Sequence, residues 1–254
     1  MSIRWYLIGV LWVFSSVAFM FVANLRPERF KGVASERIVA YYQTSGAHPV
    51  AMDRVLGMFR RWLPDSELLV HSDGGGPKLD ALSRLYGIRN YTYTAQRSSA
   101  VSDGLYFRSP EAGADYLERL AKAARTAPWV LLLEDDVGIH GWIDTRQFKY
   151  DINAHCRQYF EKKMADFIRP GGNGRVCYSG CGGSVIRSSG LLSANRTVER
   201  VAEIIRAKSP DPLGSDELLS AVILLHGGTI GSYRGYTELP FLPGMVVQHY
   251  KYGY

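Results

Sequence analysis

The stretch Trp129-Val130-Leu131-Leu132-Leu133-Glu134-Asp135-Asp136 constrains this chain more than any other part of it. Five apolar residues in a row end abruptly in three adjacent carboxylates. A short, wholly apolar run suits a strand covered on both faces, as in the parallel sheets of α/β proteins. The rest of the sequence supplies the cover. Strand-like runs at 38–42, 68–71 and 89–94 alternate with amphipathic patterns. Met52, Val55, Phe59 and Trp62 recur at helical spacing before Pro64, and Leu79, Leu82 and Leu85 do so before Gly87. Further helices are expected over 111–125, 156–168, 198–207 and 216–225, with a strand near 175–178 and a glycine-rich turn after it. The alternation predicts one α/β domain with a mixed, mostly parallel sheet over residues 36–254.

Composition narrows the function. With 46% apolar and 21% charged residues the chain is globular rather than disordered. The net charge of +6 suits an anionic partner. Lys and Arg form no dense run and no ladder with aromatics, which argues against nucleic acid and leaves a nucleotide, a phosphate or a membrane surface. No Gly-x-Ser-x-Gly elbow, Walker loop or dinucleotide fingerprint is present, so serine hydrolases, P-loop enzymes and nicotinamide enzymes are disfavoured.

Residues 1–25 read as a membrane signal-anchor. No charge falls between Arg4 and Arg26, and the 21 residues between them would span roughly 32 Å as a helix, enough for a bilayer core. A cleaved signal peptide is the competing reading, with Ser16-Val17-Ala18 as the cut. A short stem at 26–35 follows. Arg26, Arg29, Lys31 and Arg37 beyond the span favour a cytosolic body. The sequons Asn90-Tyr91-Thr92 and Asn195-Arg196-Thr197 would make sense in a lumenal one, in the Golgi or endoplasmic reticulum of a single-pass type II protein. Three cysteines allow one disulfide at most. Cys156 is expected to pair with Cys177 or Cys181 in an oxidising compartment, and no Cys or His set with structural-site spacing accompanies them, which argues against zinc.

Ligands of α/β sheets bind beyond the carboxyl ends of the strands, where Glu134, Asp135 and Asp136 lie. Adjacent acids repel unless they are solvated or hold a cation. Their hard oxygens select Mn²⁺ or Mg²⁺, with an exposed acidic turn as the plain alternative. Gly182 and Gly183 admit a ligand close to the backbone, or make only a tight turn. His249 offers an imidazole to a metal, or is simply exposed near the terminus. Lys251 would meet a diphosphate, or is a solvated tail residue. Asp73, ahead of three glycines, accepts from a nucleobase or forms a turn. Ser215 is placed to cap a helix opening with Asp216 and Glu217. The helix dipole favours acids there with or without a catalytic role.

In these residues the chain resembles the nucleotide-sugar glycosyltransferases of the GT-A fold. "LLLEDDV" is similar to their Asp-x-Asp-type motif. "VAYYQT" resembles the first strand and nucleotide loop, which implicates Tyr42 and Thr44. "LLVHSDGGG" resembles the second strand, and "SGCGGSVIRSSGLL" the glycine-rich donor-sugar segment. The resemblance implies that Asp136 contacts the metal while Glu134 and Asp135 hold the ribose and donor sugar. Asp216 would be the base of an inverting transfer, with Glu217 as substitute. The donor would be a UDP-sugar, and the acceptor a glycan, glycolipid or glycoprotein. A finer similarity, through Gln248-His249, is to the group of N-acetylglucosaminyltransferase IV and the GPI side-chain GalNAc-transferase. Two other readings share the motif: a noncatalytic sugar or nucleotide-sugar binder, and a metal-dependent phosphotransferase or nucleotidyltransferase. A binder would keep its affinity without Asp216, and the third reading would need a further basic phosphate clamp.

Overall fold

A computed structural model describes residues 36–44, 48–73, 77–94, 100–101, 104–107, 109–156, 158–172, 174–180, 182–237 and 245–249. All of them fall in the unit Ser35–Tyr254. The expected anchor and stem, Lys251, Cys181 and the three glycines after Asp73 lie outside the described residues. Among the described residues no helix is long and apolar enough to cross a membrane.

The central sheet has seven strands in the order Ile230–Ser232, Ile152–Ala154, Val185–Arg187, Trp129–Leu133, Ile38–Thr44, Leu68–Asp73, Asn90–Thr94. Only Val185–Arg187 runs against its neighbours. The order reverses between Ile38–Thr44 and Trp129–Leu133. That makes the carboxyl ends of these two strands the switch point where such sheets bind ligands. The three acids of 134–136 leave the sheet there.

Alternation along each strand builds two cores. Val39, Tyr41, Val130 and Leu132 face the helices Pro110–Ala124, Lys162–Ile168, Val198–Lys208 and Ser215–Leu225. Ala40, Tyr42, Trp129, Leu131 and Leu133 face Pro49–Trp62 and the loop carrying Ile143 and Phe148. The capping chemistry is ordinary. Ser109 accepts from Ala112 N at 3.2 Å to open its helix, and Pro49 and Pro110 take first-turn positions where no N–H is needed.

Two expectations need correction. The helix expected over 156–168 begins only at Lys162. Gln158–Tyr159 instead pairs antiparallel with Cys177–Tyr178, and Cys156 is bonded to Cys177, which pulls this stretch into a hairpin that a helix could not join. Ser215 is not the cap of its helix. Gly214 holds that position, because Leu213–Gly214 is still paired as a strand with Gly104–Phe107, and Ser215 becomes the first helical residue.

A small three-stranded sheet was not foreseen. Val247–His249 lies between Tyr236–Thr237 and Val137–Ile139, with His249 opposite Val137. It brings the C-terminal segment against the turn that contains the acids.

Leu131 is fully buried at the centre of the main sheet, so Leu131→Ala should cost about 2–5 kcal/mol through lost burial and a cavity. Denaturant melts will show this as a lower midpoint with an unchanged slope.

Candidate functional site

Glu134, Asp136 and His249 converge. A ligand atom from each lies within 4.8 Å of the other two. His249 Nε2 is 3.1 Å from Asp136 Oδ2 and 3.8 Å from Glu134 Oε2. The acids come from the end of the Trp129 strand, and the imidazole from the antiparallel pairing just described. Asp136 Oδ1 is buried and has no hydrogen-bond partner. An orphaned carboxylate oxygen in a set of two acids and one imidazole fits a divalent cation that accepts mixed oxygen and nitrogen ligands, Mn²⁺ better than Mg²⁺.

Burial, and next the Asp136 carboxylate, push Glu134 up to about 7, while His249 and a backbone bond from Gly182 pull the other way. Asp135 points elsewhere. Its Oδ1 accepts from the Tyr42 hydroxyl at 2.6 Å, and Thr44 bonds it as well. Burial raises the Asp135 carboxyl, against those two bonds. Tyr42 is fully buried, and its hydroxyl orients Asp135.

The glycine-rich segment lies directly on these acids. A Cβ at Gly182 would meet Val137 Cγ2 at 2.5 Å and Glu134 Oε2 at 3.1 Å. Gly183 has φ of +85°, and a Cβ there would meet Val247 and Tyr236 at under 3 Å. Both positions need glycine for the segment to sit this close.

Asp216 opens the helix Ser215–Leu225 beside the segment, its backbone lying under Gly180. Burial raises its carboxyl, partly offset by the bond from Glu217 N, and it shares an electrostatic field with Glu134 and His249. The structure therefore brings Asp216 to the Glu134–Asp136–His249 group. It does not bring Glu217, whose Oε1 is 2.9 Å from Lys208 Nζ and whose Oε2 accepts from Gly214 N at 3.1 Å. Both oxygens close the helix start.

Asp73 is buried at the end of its strand, on the same sheet edge but outside the acid group. Near it is a group of buried polar side chains that local sequence pattern alone does not reveal. Gln43 and His71 are opposite each other on adjacent strands, and Arg119 Nε donates to Tyr41 at 3.1 Å on the same face. Burial, aided by Arg119, lowers His71 to about 4. Gln43 Nε2, His71 Nε2 and Ser72 Oγ are all buried without partners. The available signal was a run of polar residues, 43–44 and 71–73, ending two adjacent apolar strands.

No family model matches the sequence, and no curated protein is similar to it. Solved structures are. The galactosyltransferase LgtC in complex with donor and acceptor sugar analogues matches at 12% identity over 84% of this chain and 87% of that one, with a TM-score of 0.53. An active-site mutant of LgtC gives the same values. The likeness is one of fold, and it places the architecture in the GT-A class.

Glu134 binds a proton more tightly in the folded chain than its ordinary value of 4.5, so folding takes up a proton between pH 4.5 and about 7 and this group's contribution weakens as pH rises through that window. Glu134→Gln should accordingly raise the stability of metal-free protein at pH 8 by about 2 kcal/mol, and by little at pH 5. Thermal melts in chelator at the two pH values measure the difference.

Proposed function

We propose that this chain is a metal-dependent glycosyltransferase that moves a sugar from a nucleoside-diphosphate donor to a hydroxyl acceptor. The observation that carries the reading is the convergence of Glu134, Asp136 and His249 at the sheet's switch point, with Asp216 beside them, in a GT-A architecture. The comparison structure, LgtC, was solved with donor and acceptor sugar analogues, which supports the same two kinds of ligand here.

Each residue's part follows from its surroundings. Asp136, His249 and Glu134 would hold Mn²⁺, which when bound neutralises the donor's diphosphate and makes it a better leaving group. This moves Glu134 from the sugar-contacting role suggested by the resemblance to the metal group. Asp135, oriented by Tyr42 and Thr44, is left to contact the ribose or donor sugar. The unpartnered Gln43 and His71 atoms, on the sheet face that Asp73 shares, suit the amide-like edge of a uracil. Gly182 and Gly183 leave room for the sugar against the backbone. Lys251 is retained as a phosphate contact on the sequence alone.

Asp216 serves as the base. Burial raises its half-buried carboxyl, which makes it a stronger base; as carboxylate it accepts the acceptor hydroxyl's proton as that oxygen attacks the anomeric carbon and the C–O bond to the diphosphate breaks. A single displacement inverts the anomeric centre. We further propose that residues 1–25 anchor the chain with its body in an oxidising lumen, which the Cys156–Cys177 bond favours.

Asp136→Ala should abolish Mn²⁺-dependent binding of UDP in calorimetry while leaving the thermal melt cooperative. Unchanged affinity and metal dependence would remove the metal role. Asp216→Asn should keep UDP and Mn²⁺ binding but lose turnover by roughly 10²-fold or more, read as hydrolysis across a panel of nucleotide sugars. A product of retained configuration, seen by NMR, would overturn the single displacement.

A further inference from the structure

The two halves of this site belong to different elements. Glu134 and Asp136 end a central strand, whereas Asp216 opens a helix in a separate layer. Direct displacement needs the base held at a fixed distance from the donor, because small misplacements of reacting groups are costly. The segment from Ser179 to Ser184 joins the halves. At its far end Gly183 N donates to Leu132 O at 2.8 Å, and Ser184 O accepts from Leu132 N at 2.9 Å, which fixes it to the carboxylate strand. Gly182 adds a backbone bond to Glu134.

At the near end one side chain hydrogen-bonds the segment to the helix. Ser220 is fully buried, one turn beyond Asp216, and residues four apart share a helix face. Its hydroxyl accepts from Ser179 N at 2.9 Å and donates to Ser179 O. One oxygen thus engages both backbone groups of one residue. The same helix face also packs on the segment through Leu219, whose Cδ2 would lie 3.1 Å from a Cβ at Gly180, and through the Asp216 backbone, whose carbonyl would lie 3.4 Å away. Among the described residues this hydroxyl makes the only hydrogen bonds between Ser179 and the helix of Asp216.

We infer that Ser220 is a positioning residue: by clamping Ser179 it sets Asp216 in register with the Glu134–Asp136–His249 group. It touches neither donor nor acceptor. This rests on the reading of Asp216 as base and adds the element that holds the base in place. A helix interior is a poor place for a serine on propensity grounds, and a buried hydroxyl must be bonded, so alanine would suit the helix better if packing were all that mattered. Both hydrogen bonds of the hydroxyl, one donated and one accepted, go to the segment that carries the site.

The experiment uses the full chain with Mn²⁺ and a UDP-sugar that it hydrolyses, comparing Ser220→Ala, Asp216→Asn and the double variant. Ser220→Ala should lower kcat by roughly 10- to 100-fold. Donor KM, and the affinity for UDP with Mn²⁺, should stay within about twofold, because the metal and nucleotide groups lie on the strand side of the segment. The double variant should fall no further than Asp216→Asn alone, since both losses pass through one carboxylate. Ser220→Cys, which keeps a weak donor and acceptor, should lie between wild type and Ser220→Ala, and it serves if the alanine variant does not fold. Additive losses in the double variant, an unchanged kcat, or a rise in donor KM without a fall in kcat would each overturn the positioning role. If Asp216→Asn itself leaves hydrolysis unchanged, it is the assignment of the base that fails.

Discussion

The structure turns on the double backbone tie between Leu132 and the segment at Gly183–Ser184. It joins an antiparallel strand, Val185–Arg187, to the buried strand that delivers the acids, and it presses the glycine-rich segment onto Glu134. The helix of Asp216 shares a core with that strand through Leu218, Leu219 and Val222, and the tie lays the segment between the two. The tie is possible only because positions 182 and 183 have no side chain, since a Cβ at either would run into Val137, Val247 or Tyr236. Close backbone packing holds the segment to the strand, and the Ser220 hydroxyl ties its other end to the helix.

That packing assembles charge at a cost. Glu134, Asp136 and Asp216 are gathered in a partly desolvated group, and burial raises the Glu134 and Asp216 carboxyls. The imidazole of His249 is the described counterweight at Glu134 and Asp216. Asp135 escapes the group through its bonds to Tyr42 and Thr44, and Glu217 through Lys208 and the Gly214 N–H. Of five acids close in sequence as two clusters, three face one another and two are neutralised by polar partners. Such a division suits a site that gains a cation in use, because the repulsion relieved on binding adds to the affinity.

The hairpin of Gln158–Tyr159 and Cys177–Tyr178 feeds directly into this segment, and its disulfide braces the strand that leads to Ser179. The chain between Cys156 and the helix of Asp216 therefore works as one support, with bonds at the disulfide, at Ser220 and at Leu132. The sequence reading, which ran a helix from residue 156, gave this support no role.

Local pattern determined a good deal. The apolar run 129–133, the helical spacing of Met52, Val55 and Phe59, and the Ser-Pro start of the helix at Pro110 are short-range signals, and each element formed where its own residues favoured it. The three acids were placed at the sheet's ligand-binding edge by the same logic, because strand direction and layer order follow from alternation. Tertiary structure decided what these acids face. His249 reaches Asp136 through strand pairing across more than a hundred residues, and Glu217 is drawn to Lys208 although it is adjacent to Asp216. The polar group of Gln43, His71 and Arg119 is likewise built from three separate elements. Periodicity in a sequence reports which side of an element is apolar. Which polar groups then meet depends on the register between distant segments, and that is set by the packing of the whole core.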